Sequence, residues 1–237
     1  MAKSYFLGFG ATQLSSDYYG LELILKDSQS DVDNMEIIAK ERDFEVKTFK
    51  NEKATVGQFR IQMDNLCDKL EAGDVLWFYF SGFGSRVKNL ASKKPLNSYC
   101  FFDGQIADFE LLNWIAGLSK GVDVVVMLDC SHFPLSGGKT LPLSISTKLD
   151  NGKVAASIYE NLPRELHGGQ SIVFMLAAQK HELAHEGVFT EGFIEAVHSQ
   201  TDSMSTDLAE FWERVEQYCT PIQTPRYFTR PKGLVDL

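Results

Sequence analysis

Two strand-length runs without a charged side chain constrain the fold more than any other feature of the sequence. Residues 75–80 read Val-Leu-Trp-Phe-Tyr-Phe, and residues 124–128 read Val-Val-Val-Met-Leu. A strand that is apolar on both faces belongs inside a parallel sheet that helices cover from both sides. We therefore expect an α/β fold with a mostly parallel central sheet flanked by helices on both faces.

Segments with strand and helix periodicity alternate around these two runs and support the same fold. Further strands are predicted at residues 4–9, 44–49 and 171–177, and an extended tail at 224–231. Helices are predicted at residues 31–42, 56–70, 109–118, 191–198 and 206–219. Thr55 is the predicted N-cap of the second helix. Repeated turn signals in residues 136–169 predict a long surface connection, with a short helix near residues 155–162.

The net charge and the cysteines argue against several classes of function. The 237 residues carry a net charge of −9, which disfavours non-specific binding to nucleic acid and favours a basic peptide or protein partner. The four cysteines are scattered, which predicts a reducing, cytoplasmic environment rather than a disulfide framework. No segment approaches the roughly 18–20 apolar residues of a membrane span, so no membrane association is predicted.

Small polar residues follow both apolar runs, where each predicted strand ends. The first run continues into Ser81-Gly-Phe-Gly84 and the second into Asp129-Cys-Ser-His132. Ligands bind beyond the carboxyl ends of the strands in an open parallel sheet, so the two segments form a candidate site. An ordinary pair of strand-to-loop turns is the alternative interpretation.

Both segments resemble the catalytic motifs of the caspase-like cysteine peptidases, which include metacaspases and orthocaspases. In that family the first run ends in Ser-Gly-His-Gly and the second in Asp-x-Cys-His. This chain has Phe83 at the position of the catalytic His and Ser131 at that of the catalytic Cys. Residues 25–35 and 177–190 resemble further family segments. The resemblance implies one caspase-like domain over residues 1–237, with a large-subunit-like part at 1–149 and a small-subunit-like part at 162–237.

The two replacements predict that family-type peptidase activity is absent. A phenyl ring cannot exchange a proton, and a serine hydroxyl without an adjacent base is a poor nucleophile. Cys130 is predicted to be a small buried core residue, and His132 matches a family His that is not the catalytic base. A weak residual peptidase that uses Ser131 or Cys130 is the alternative.

The resemblance also implies a pocket for a basic side chain. Asp31, Ser81 and Asp129 match metacaspase residues that line the pocket for Arg or Lys, and Ser28 matches a family Cys there. Two carboxylates facing one cavity would favour a cation. Alternatively, Asp31 caps the following helix and Asp129 bonds to local backbone. We predict a pseudo-peptidase that binds a basic peptide or partner, or that regulates an active relative; the oligomeric state stays open.

No metal or other cofactor is predicted. Asp103 and Asp108 match part of a metacaspase calcium site, but Phe109 replaces an Asp, which leaves too few oxygen ligands. The segment from His181 to His185 fits His-Glu-x-x-His, with Glu182 as the general base of a zinc peptidase. This motif falls in a segment that is a loop in the caspase-like family, so zinc catalysis is kept only as an alternative.

Overall fold

The computed structural model describes residues 2–20, 23–88, 95–130, 132–133, 171–178, 182–199 and 208–230. The strands are β1 (Ser4–Gly10), β2 (Glu45–Lys50), β3 (Val75–Ser81), β4 (Gly84–Lys88), β5 (Pro95–Phe101), β6 (Gly104–Ala107), β7 (Asp123–Asp129), β8 (His132–Phe133), β9 (Ile172–Leu176) and β10 (Arg226–Arg230). The helices are α1 (Ser16–Tyr19), α2 (Ser28–Glu41), α3 (Val56–Lys69), α4 (Asp108–Gly117), α5 (Val188–His198) and α6 (Leu208–Cys219), with a 3₁₀ turn at Asn51–Lys53.

A six-stranded sheet in the order β10-β9-β7-β3-β1-β2 forms the centre of the molecule. Its strands are parallel except β10, which runs antiparallel to β9. The two apolar runs are β3 and β7, which lie side by side in the middle and are buried on both faces. The mostly parallel sheet predicted from these runs is therefore confirmed.

Helices cover both faces of the central sheet, as the apolar strands require. On one face, Phe59 of α3 packs at the centre of an aromatic cluster with Phe9, Phe78 and Phe101. On the other face, helices α2, α5 and α6 bury the second core, in which Phe193 packs edge-on against Trp77. The strands alternate their side chains between these two cores.

Most predicted elements are confirmed, with shifts of a few residues at their ends. The Thr55 side chain accepts a hydrogen bond from the Gln58 backbone N–H at 3.0 Å, so Thr55 caps α3 as predicted. Helix α2 begins at Ser28, three residues before its predicted start. The predicted connection at 136–169, its short helix near 155–162 and the division between 149 and 162 lie outside the described residues.

A second sheet, in the order β6-β5-β4-β8, was not predicted from the sequence. Two of its strands follow the central strands closely in sequence. Strand β4 begins three residues after β3 ends, and β8 begins three residues after β7 ends. Gly84 of β4 pairs in parallel with His132 of β8. The chain thus keeps the two strand ends together beyond the central sheet.

None of the helices in the described part of the chain has both the length and the apolar character needed to cross a membrane.

Candidate functional site

The carboxyl ends of β1, β3 and β7 meet at one edge of the central sheet. Gly10 pairs with Ser81, and Ser81 pairs with Asp129 in the parallel register. The hydrogen bonds continue past the sheet, since the Gly82 N–H donates to the Asp129 carbonyl at 3.2 Å. The register therefore places Ser81 beside Asp129, which their positions in sequence had only suggested.

A cavity of about 180 Å³ opens at this edge. The residues that line it are Leu25, Ser28, Asp31, Ser81, Gly82, Phe83, Asp129, Cys130, Leu183, Ala184, His185 and Glu186. The structure thus brings together all four residues predicted to bind substrate: Ser28, Asp31, Ser81 and Asp129. The outer part of the cavity is formed by the exposed residues Leu183, His185 and Glu186.

Asp31 reaches the cavity from the first turn of α2. Its side chain is 4% exposed and accepts a hydrogen bond from Ser81 Oγ at 2.8 Å. Burial, reinforced by the charge of Asp129, raises the pKa of the Asp31 carboxyl to about 8. The alternative that Asp31 caps the helix is wrong, because α2 begins at Ser28 and the N-cap position belongs to Asp27.

Asp129, the last residue of β7, is bound to the start of α5. The Thr190 hydroxyl donates to Asp129 Oδ2 at 2.6 Å, and the Thr190 backbone N–H also bonds to this carboxylate. Burial raises the pKa of Asp129 to about 6, although both bonds from Thr190 oppose the rise. The alternative that Asp129 bonds to local backbone is also wrong, because its partner lies 61 residues away.

Thr190 and Tyr79 belong to the site but were missed by the sequence analysis. The Tyr79 hydroxyl lies 2.6 Å from Thr190 Oγ1. Because Thr190 gives its proton to Asp129, Tyr79 must donate to Thr190. The available signal was the Gly-Val-Phe-Thr sequence at 187–190, whose Thr lies in the first turn of a helix. Tyr79 carried no such signal, since it lies within an all-apolar run.

We expect Thr190→Val to lower the free energy of unfolding by about 1–2 kcal/mol. The substitution keeps the shape of the fully buried side chain but removes the hydroxyl that bonds to both Tyr79 and Asp129. Thr190→Ser retains the hydroxyl and is the matched control, with a smaller loss. Urea unfolding of both variants measures the difference. A loss in Thr190→Val that is no larger than the loss in Thr190→Ser would contradict a stabilising role of the hydroxyl.

A glycine lets α5 begin against the Asp31 carboxyl. Gly187 is the N-cap of α5 and has a φ of 76°, a backbone conformation that residues other than glycine rarely adopt. A Cβ added there would lie 3.7 Å from Asp31 Oδ1. The positive end of the α5 dipole therefore lies close to both carboxylates.

The motif resemblance predicts that Phe83 lies at the catalytic His position and Cys130 beside the catalytic Cys position. In the structure neither side chain provides a base or an ionised thiol. Phe83 lines the cavity, is partly buried and packs against the core of the α3 face. Cys130 is 4% exposed, and burial, reinforced by the charge of Asp129, raises the pKa of its thiol well above the usual value. Cys130 is thus the buried thiol that was predicted, and it stays protonated at neutral pH. Ser131 lies outside the described residues.

The described part of the His-Glu-x-x-His segment does not form a helix. Residues 182–185 are irregular, and Glu182 Oε1 accepts hydrogen bonds from both the backbone N–H and the hydroxyl of Thr224 at 3.0 Å. His181 lies outside the described residues. Where the structure describes the chain, no three His, Cys, Asp or Glu side chains are grouped so that they could hold a metal ion. The helical geometry that a zinc peptidase needs is therefore missing from residues 182–185.

The fold and the paired strand ends define a caspase-like α/β protein, and comparison with known proteins agrees. The caspase domain family matches residues 15–231. The chain therefore belongs to the caspase domain family. No curated protein matches it by sequence.

Solved structures of other proteins share the fold. The crystal structure of protein GSU0716 from Geobacter sulfurreducens superimposes with a TM-score of 0.75 at 22% identity, over 98% of this chain and 95% of that chain. Caspase-1 from Spodoptera frugiperda superimposes with a TM-score of 0.58 at 13% identity, over 96% of this chain and 86% of that chain. At these identities the likeness concerns the fold alone.

Proposed function

We propose that this protein is a pseudo-peptidase whose pocket binds the cationic side chain of an Arg- or Lys-containing peptide or partner protein. The observation that carries the proposal is that two buried carboxylates, Asp31 and Asp129, line one cavity. None of the described residues around that cavity is a lysine or an arginine. The described part of the pocket thus carries acidic groups without a lysine or arginine beside them.

The shape and chemistry of the pocket favour a side chain with an apolar stem and a charged end. Leu25 and Ala184 provide apolar wall, while Asp31 and Asp129 provide acceptors at the base. Arginine and lysine have this form, with methylene groups that pack on apolar surface and a cation at the tip. A guanidinium presents several N–H donors in a fixed plane and could bond to both carboxylates.

Loss of catalysis follows from the residues beside the pocket. Peptide hydrolysis by caspase-like cysteine peptidases requires an activated nucleophile next to a base. Phe83 supplies no base, and the protonated, buried Cys130 supplies no nucleophile. A protein with the pocket but without this pair would hold a peptide without cutting it, as a sequestering partner or as a regulator of an active relative.

We expect no turnover of fluorogenic peptides that contain Arg or Lys before the reporter group. The assay is run alone, with calcium, with zinc and with a chelator, and any background rate should be unchanged in Ser131→Ala and Cys130→Ala. Turnover that either substitution abolishes would contradict the proposal and identify a residual peptidase. Turnover that is lost on chelation and in Glu182→Ala would instead identify a zinc peptidase.

Binding is tested separately from turnover. N-acetyl-arginine amide presents the side chain of interest, and N-acetyl-citrulline amide is a neutral ligand of nearly the same shape. We expect calorimetry to detect the arginine ligand and not the citrulline ligand. Equal affinity for both would contradict a pocket that selects charge.

A further inference from the structure

Among the described residues that line the pocket, no lysine or arginine accompanies the pair of carboxylates. The polar and titratable groups that face the pair are Asp27 and Ser28 on α2, Tyr79 and Ser81 on β3, Cys130 after β7, His185 and Glu186 before α5, Thr190 and Glu191 on α5, and Cys219 on α6. The additional carboxylates in this set add negative charge. Two like charges buried in one cavity repel each other, so near neutral pH such a pair retains a proton.

The hydrogen bonds decide which carboxyl keeps that proton. Asp129 accepts two hydrogen bonds from Thr190, one from the hydroxyl and one from the backbone N–H at the start of α5. Both bonds favour its charged form. Asp31 has one such bond, from Ser81 Oγ, and the negative charges of Asp27 and Glu191 raise its pKa further. Asp31 therefore binds the proton more tightly than Asp129 does.

We infer, building on the proposed cation pocket, that the empty pocket stores one proton on Asp31 beside an ionised Asp129, and that an entering cationic side chain displaces this proton. In the binding step the O–H bond of Asp31 breaks and its proton passes to a buffer base. The electron pair stays on the carboxylate, which then faces the bound cation. Ligand binding and proton release are thus one equilibrium.

Affinity for a cation then depends on pH in a defined direction. The pKa of Asp31 is raised to about 8 and that of Asp129 to about 6. Between these values the proton on Asp31 competes with the ligand, so affinity increases as the pH rises, by up to about tenfold per pH unit for one displaced proton. Above the pKa of Asp31 the dependence disappears, because no proton remains to be displaced.

The experiment is calorimetry of N-acetyl-arginine amide at pH 7 in phosphate and in Tris, two buffers whose ionisation enthalpies differ widely. The difference between the observed enthalpies counts the protons released, and we expect about one. Asp31→Asn has no proton to give, so its binding should release none and its affinity should vary little with pH. Carbon-13 NMR of the aspartate carboxyl groups follows the free protein, where Asp31 should titrate at a higher pH than Asp129.

The outcomes separate this inference from the proposed function. Selective binding with proton release that Asp31→Asn removes supports the inference. Selective binding without proton release, or a carboxyl carbon of Asp31 that titrates in the ordinary range, overturns the inference and leaves the cation pocket in place. Absence of binding at every pH from 6 to 9 overturns both.

Discussion

Asp129→Asn is expected to weaken binding of N-acetyl-arginine amide by roughly 30-fold or more. Removing one member of a buried, hydrogen-bonded charge pair costs about 2–5 kcal/mol, and here the bound cation would lose one of its two carboxylates. The amide keeps the size of the side chain, and its oxygen can still accept the hydrogen bond from Thr190. The loss therefore reports on charge rather than on shape. Calorimetry at pH 8 measures it.

The fold should survive this substitution. Burial raises the pKa of Asp129 above its unfolded value, so its contribution to stability is present at low pH and is lost as the pH rises through about 6. Replacing it by a neutral amide removes that loss, and the variant should be at least as stable as the parent at pH 8.

A matched control separates a local effect from a change in net charge. Asp64→Asn makes the same substitution at an exposed position on α3, on the opposite face of the sheet from α2 and α5. Its affinity for the arginine ligand should equal that of the parent. Equal weakening in both variants would assign the effect to the overall charge of −9 and would contradict a specific pocket.

Gly10→Ala is expected to cost about 3 kcal/mol of stability, at the upper end of the usual range for overpacking. A Cβ on Gly10 would lie 2.5 Å from the Ser28 carbonyl oxygen and 2.8 Å from a methyl group of Val32. The nearer contact is with backbone, so no side-chain rotation relieves it. Helix α2 would have to move away from β1, and Ser28 and Asp31 would move with it.

Urea unfolding measures this cost, and Gly57→Ala is the control. Gly57 is an exposed residue in the first turn of α3, and an added Cβ there meets only Thr55 Oγ1 at 3.9 Å. We therefore expect Gly10→Ala to lower the free energy of unfolding and Gly57→Ala not to lower it. Affinity for the arginine ligand should also fall in Gly10→Ala, because the displaced helix carries Asp31. An unchanged stability would show that α2 adjusts freely at this contact.

The sequence predicted the central sheet well because its evidence is local. Residues 75–80 and 124–128 are apolar on both faces, and such runs have few stable places outside a covered parallel sheet. The cap at Thr55 is equally local, since its partner Gln58 lies three residues away. The small second sheet was missed because its strands are short or polar, and β8 has only two residues.

The candidate site could be predicted only in part. The strand ends were predicted from the apolar runs and Asp31 from motif resemblance, but both local interpretations of the carboxylates failed. Asp31 bonds to Ser81, 50 residues away, and Asp129 bonds to Thr190, 61 residues away. No rule based on sequence spacing relates residues so far apart.

The sequence alone predicted the α/β class and the two strand ends, because composition and periodicity act over a few residues. Only the tertiary structure decided that the carboxylates share one cavity and which of them receives the hydrogen bonds of α5. These properties depend on how α2 and α5 pack against the same edge of the sheet. Burial and the proximity of like charges set the ionisation of the pocket, and both arise only when distant segments are brought together.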